Sequence, residues 1–105
     1  MWNSGLKTLS GKMKIVFKDT FYHRLENQIE YISIDSPARA RKFKSDLFKR
    51  IKEIVTNPYR YRKSIYFEEE TIRDLIFKGY TIVFRITENN IEIFGFVKFQ
   101  KEPTD

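Results

Sequence analysis

The sequence contains no cysteine and one histidine, His23, among 105 residues. The missing cysteines exclude disulfides, thiolate zinc sites and cysteine nucleophiles together, and they leave the compartment open, with a reducing cytoplasm compatible. Carboxylates cluster only at Glu68-Glu69-Glu70, with no histidine or cysteine at ligand spacing, so neither a metal nor a cofactor is expected. No apolar run approaches the roughly 20 residues of a membrane span, and the N-terminus lacks the continuous apolar segment of a secretory signal. The chain reads as cytoplasmic, without internal repeats or low-complexity tracts.

What is present is ample apolar and aromatic material, 41% and 16% of residues, enough for one packed core. The length suits one domain and is too short for two. Residues 1–12 show no clear period and read as a disordered leader, with Met13 the natural start of the fold, a single domain over 13–101 and a short tail at 102–105.

Periodicity predicts the elements. Lys14 to Lys18 reads as a strand with Ile15 and Phe17 on one face. Asp19 or Thr20 can cap a helix whose stripe is Phe21, Leu25, Ile29 and Ile32. Ser36-Pro37 then opens a second helix with Ala40, Phe43, Leu47, Ile51 and Ile54 inside, widened by Phe48 and Val55, that stops at Asn57-Pro58. Ser64 to Phe67 is expected to be extended. Strands at Thr71–Phe77, Tyr80–Thr87 and Ile91–Phe99 follow, with Lys78-Gly79 and Glu88-Asn89-Asn90 as hairpin turns. The expected fold is α+β, in the order β-α-α-β-β-β, with a helical hairpin on one face of an antiparallel sheet and the other face open.

Charge singles out two regions. From Pro37 to Lys63 there are ten basic residues against two acidic ones, so this segment carries +8 of a chain total of +6 and the remainder is slightly acidic. Such a stripe is either a solvated helix face or a docking surface for phosphates or an acidic protein, screened over about 8 to 10 Å. The second region is Arg73, alone in the apolar stretch Ile72 to Phe77. A guanidinium there needs a partner, because an unpaired buried charge costs several kcal/mol. Alternation places it with Leu75 and Phe77, opposite Ile72, Asp74 and Ile76. It reads either as a residue that grasps an anion or as an ion pair with Asp74 or one of Glu68, Glu69 and Glu70. His23, beside Phe21 and Leu25, reads as a partly buried helix residue rather than a catalyst.

The run Ala40-Arg-Lys-Phe-Lys-Ser-Asp-Leu47, then Thr56-Asn-Pro58, then Ile72 to Ile86 and Ile91 to Val97 in that order and spacing, resembles the RelE/ParE toxin superfamily over about residues 13–100. The resemblance implies the toxin half of a toxin–antitoxin operon, a growth inhibitor neutralised by an antitoxin, here expected to be acidic and encoded next to it. Two mechanisms share the fold. In ribosome-dependent mRNA nucleases, a ribose 2′-hydroxyl attacks the adjacent phosphate, which needs a base, an acid and cations around the charged intermediate. By position Arg73 matches the arginine such nucleases carry on the second strand. The tail Lys98-Phe-Gln-Lys-Glu-Pro103 offers no obvious base or acid, so Lys98 and Lys101 stand with Arg73 as the catalytic candidates, as electrostatic stabilisers, and Tyr80 and Tyr66 as hydroxyl donors. ParE-like members instead bind DNA gyrase and require only a recognition surface. Candidates for partner or nucleic-acid binding are Arg39, Lys42, Arg60, Arg62, Lys63, Tyr80 and Arg85. A third reading is a plain nucleic-acid binder that uses Arg39, Arg41, Arg60 and Arg62, with Tyr59 and Tyr61 as stacking faces.

Overall fold

Two helical stripes and three alternating strands bury their apolar sides against one another, as the spacing of Phe, Leu and Ile predicts. The computed structural model describes residues 13–98, so the expected leader, Lys101 and the tail lie outside the described residues. Along the chain run β1 (Lys14–Phe17), α1 (Asp19–Asp35), α2 (Pro37–Lys52), two 3₁₀ turns (Glu53–Thr56 and Pro58–Arg60), β2 (Arg62–Lys63), β3 (Ile72–Phe77), β4 (Tyr80–Ile86) and β5 (Asn90–Lys98). The sheet order is β1-β5-β4-β3-β2. Among the described residues no helix is long and apolar enough to cross a membrane.

The helical hairpin turns on one residue. Ser36 ends α1 by donating its N–H to the Ile32 carbonyl at 2.9 Å, and its Oγ accepts from the Arg39 N–H at 3.1 Å to begin α2. Pro37 follows in the first turn, where its missing N–H costs nothing. The start of α1 differs from the expected cap. Lys18 precedes the helix, and its carbonyl accepts from Phe21 and Tyr22. Asp19 sits in the first turn, where its charge suits the helix dipole, and the Thr20 hydroxyl donates instead to the Phe94 carbonyl at 2.9 Å.

The helix-covered face of the sheet carries Leu75, Phe77, Tyr80, Ile82, Phe84, Ile86, Ile91, Ile93 and Phe96, packed on Phe21, Leu25, Phe43, Leu47, Ile51 and Ile54. Fully burying side chains of this size contributes about 1.5–3 kcal/mol each. The inward positions of β5 change parity between Ile93 and Phe96 because a bulge intervenes: Val83 faces Gly95 while Phe84 faces Ile93, leaving Phe94 as the extra residue. The β3–β4 turn is tight, with positive φ at both Lys78 (47°) and Gly79 (83°), as the right-handed strand twist favours.

Three expectations change. The sheet is mixed, since β1 pairs with β5 in parallel, Ile15 opposite Ile91 and Phe17 opposite Ile93. The short strand beside β3 lies at Arg62–Lys63, with Lys63 opposite Arg73; Ser64 still donates to the Ile72 carbonyl, but Ile65 then turns across the sheet and gives its N–H to Asp74 Oδ2 at 3.2 Å. The second face is therefore partly covered, with Ile76 still exposed on it. The strap Ile65–Phe67 crosses it, with Phe67 edge-on to Phe94 at 5.7 Å, and Ile72, Asp74 and Val83 on that face are buried.

Gly95 is required by close approach. A Cβ there would stand 2.9 Å from Val83 Cβ and 3.0 Å from its Cγ2, inside any ordinary contact. Gly95→Ala is expected to cost about 1–3 kcal/mol of stability in urea unfolding, and measurably less in a Val83→Gly background, which removes both Cβ and Cγ2. Equal costs in the two backgrounds would refute the contact as the cause.

Candidate functional site

Arg73 lies on the face that alternation assigns to it, with Phe84 opposite on β4, and only 8% of the residue is exposed. Its partners are mostly backbone. Nε donates to the Glu70 carbonyl at 2.8 Å, and Nη1 donates to the carbonyls of Tyr59 at 3.1 Å and Tyr61 at 2.9 Å. Nη2 donates to Glu70 Oε1 at 3.1 Å, and the Tyr59 ring covers the guanidinium at 4.9 Å. Of the five N–H donors an arginine owns, four are thus engaged by the chain itself. Of the carboxylates considered, Glu70 is the ion-pair partner, while Asp74 accepts from Arg62 at 3.2 Å on the opposite face. Arg73 acts as a staple: it fixes the 3₁₀ turn at Pro58–Arg60 and the Glu70 turn that follows the strap to β3.

Lys98 is far from it. Arg73 is opposite Phe84 and Lys98 is opposite Tyr80, so the two sit four positions apart along β4, on strands either side of it. At about 3.3 Å per residue that is roughly 13 Å along the sheet before the lateral spacing is added. Arg73 and Lys98 therefore do not form one constellation, and Lys101 lies outside the described residues.

The binding candidates divide into three places. Arg60, Arg62 and Lys63 gather around the staple: Arg60 reaches the Tyr61 hydroxyl at 3.3 Å and stacks on its ring, and Lys63 shares the Glu70 carboxylate at 3.2 Å. Arg85 is on the strap-covered face, 3.7 Å from Glu92 and over the Phe94 ring. Arg39, Lys42 and Tyr80 come together with a residue that sequence reading passed over, Lys78, in a cleft of about 420 Å³ floored by Ile32 and Phe43. The only signal for Lys78 was its place in the Lys78-Gly79 turn, which aims it back over the helices.

In this cleft Lys42 and Lys78 both lean on Asp46, at 3.1 and 3.7 Å, and Arg39 pairs with Asp35. The hydrogen bond from Lys42, with the nearby charges of Lys42, Lys78 and Lys49, holds the Asp46 carboxyl below the ordinary carboxylate range despite some desolvation. Tyr80 stacks on Phe96 at 4.9 Å and meets Phe43 edge-on at 5.4 Å. Burial, and then Tyr31, pushes the Tyr80 hydroxyl above the usual tyrosine range, so at neutral pH it remains a donor. Tyr66 is exposed on the strap, and His23 is also exposed rather than partly buried, in a shallow depression with Asp19, Tyr22 and Glu26.

Over residues 15–101 the chain matches the family model described as the ParE toxin of the type II toxin–antitoxin system parDE. No curated protein sequence matches it. Among solved structures it is similar to a chain from the chromosomal ParDE toxin–antitoxin system of P. aeruginosa, with a TM-score of 0.70 and 16% identity, over 85% of this chain and 98% of that one. At that identity the likeness is one of fold.

Removing the staple should act on folding. Arg73→Ala leaves the Tyr59 and Tyr61 carbonyls and Glu70 without their donor, and is expected to lower stability by about 2–4 kcal/mol and to speed amide exchange in residues 59–71. Arg73→Lys should recover only part of this, because an ammonium cannot span the same carbonyls in one plane. Unchanged stability and exchange in Arg73→Ala would refute the structural role.

Proposed function

Because the chain belongs to the ParE toxin family of type II toxin–antitoxin systems, we propose that it arrests growth by binding DNA gyrase rather than by cutting RNA. The observation that carries this reading is the state of Arg73. Its donors are spent on Tyr59, Tyr61 and Glu70, and Lys98 stands at the other end of the sheet. A cation meant to stabilise a phosphorane-like intermediate has to offer its donors to the substrate as charge develops. Here a phosphate would first have to displace Glu70, whose carboxylate already joins Lys63 and Arg73. Inhibition by binding needs only a shaped surface, and the exposed cations on α2 and around β2 supply one.

The nuclease reading has one point in its favour: Lys63 and Arg73 together hold a carboxylate, which makes the pair competent to hold an anion. The antitoxin is expected to be an acidic protein encoded alongside, since a basic toxin surface speeds association with it and is masked by it. Its site of action would be the cytoplasm.

Controlled induction in a bacterial host, with pulse-labelled DNA and protein synthesis followed in one culture, tests the target. DNA synthesis is expected to fall first, and the purified chain is expected to inhibit DNA supercoiling by gyrase. Protein synthesis falling first, with ribosome-dependent mRNA cuts, would overturn the proposal in favour of the nuclease.

A further inference from the structure

Three consecutive large apolar residues face water on the side of the sheet away from the helices. Ile65 is 62% exposed, Tyr66 and Phe67 are each 44% exposed, and Ile76 of β3 is 43% exposed. The strap that carries the first three is fastened rather than frayed. Ile65 donates its N–H to Asp74 Oδ2, Tyr66 donates its N–H to Ser64 Oγ at 3.1 Å, and the Phe67 ring meets Phe94. Ile76 lies two positions beyond Asp74 on the same face, so the four residues make one patch. At about 200 Å² for a residue of this size, they leave roughly 400 Å² of largely apolar surface outside. That is close to the apolar half of the ~800 Å² that a standard interface takes from each partner.

Charge changes sign from one end of this patch to the other. At the start of β3 stand Glu68 and Glu69, both exposed, with the Glu69 carbonyl accepting from the Ile72 N–H at 3.2 Å. The cations of that end, Arg62, Lys63 and Arg85, already hold Asp74, Glu70 and Glu92. Among the described residues Glu68 and Glu69 join no ion pair. The other end lies four positions along β3, about 13 Å away. There Arg50 comes to the sheet edge, 3.5 Å from the Ile76 carbonyl and 3.7 Å from Glu53, both long contacts.

We infer that this face binds a second copy of the chain, strap against strap about a twofold axis, with Glu68 and Glu69 of each copy meeting Arg50 of the other. A twofold contact needs a surface complementary to itself. Turning the patch end for end sets its acidic end on Arg50 and its apolar residues on their own counterparts, so the patch meets that requirement. The same acids disfavour other occupants. Phosphates of a nucleic acid or an anionic membrane would meet Glu68 and Glu69 beside cations that are already paired. Because α1 and α2 cover the opposite face, both helical hairpins stay on the outside of such a pair. The dimer would thus present the basic helix surface twice, and a target with two sites would be held more tightly than by one copy. Nothing in this pairing requires the toxin reading.

Sedimentation velocity of the purified full chain over a range of concentrations tests this directly. A monomer–dimer equilibrium in the micromolar range is expected. Ile65→Asp and, separately, Tyr66→Asp, each checked for an unchanged melting temperature, should raise the dissociation constant about tenfold or more. Ile34→Asp, on the exposed end of the helical hairpin, should leave it unchanged. Charge reversal tests the direction of pairing. A chain with Glu68→Arg and Glu69→Arg should dimerise poorly with itself, as should Arg50→Glu, yet an equimolar mixture of the two should recover the dimer, because both crossed contacts then join opposite charges. The inference is overturned by a chain that is monomeric at every concentration, by assembly that grows beyond the dimer, by a dimer that survives both aspartate substitutions, or by a mixture that stays monomeric. A monomer that instead binds neutral phospholipid vesicles through Ile65 would overturn it in favour of a lipid surface.

Discussion

The arrangement depends on the guanidinium of Arg73. Between the end of α2 and the start of β3 the chain has little regular structure of its own: two 3₁₀ turns, two strand residues and a strap. Such a segment cannot satisfy its backbone groups internally and is held from outside. Arg73 accepts that role because a planar fork of donors can reach Tyr59, Tyr61 and Glu70 from one buried position, and the Tyr59 ring closes over it. Asp74, its neighbour, does the equivalent work on the other face through Arg62 and Ile65. Adjacent residues of one strand thus fasten both sides of the same crossing.

A residue that the family resemblance marked as a catalytic candidate is used here as a staple, and the other basic residues are distributed over the surface by the fold. Arg60, Arg62 and Lys63 flank the crossing, Arg85 lies on the strap-covered face, and Arg39, Lys42 and Lys78 meet at the hairpin cleft. Separate exposed patches of one sign favour recognition of large partners more than chemistry at a point, because acid–base catalysis needs its groups within hydrogen-bond reach of one another. Both partners expected of this family, the target and the antitoxin, are macromolecules that could use such patches.

Much of the architecture was legible in the residues. The stripes from Phe21 to Ile32 and from Ala40 to Ile54, the Ser36-Pro37 junction and the Lys78-Gly79 turn are local patterns, and each appears where its spacing puts it. Less legible were the bulge at Phe94 and the strap. The parity change in Ile91-Glu-Ile-Phe-Gly-Phe-Val was readable only as alternating strand, because which residue is extra depends on the register of β4 alongside. Ser64 to Phe67 has the composition of a strand, but Ile65 gives its N–H to a buried carboxylate on another strand, which no local pattern discloses.

The sequence by itself determined the element types, the buried stripes, the basic bias of the second helix and the family, because apolar periodicity and turn chemistry act over a few residues. Only the tertiary structure decided what the charged residues do. Arg73 could have met an anion or its own chain, and that choice was made by carbonyls 12 and 14 residues away that the 3₁₀ turn carries to its side. Lys78 became part of a basic cleft for the same reason, since a charge takes its role from neighbours that are close in space and distant in sequence.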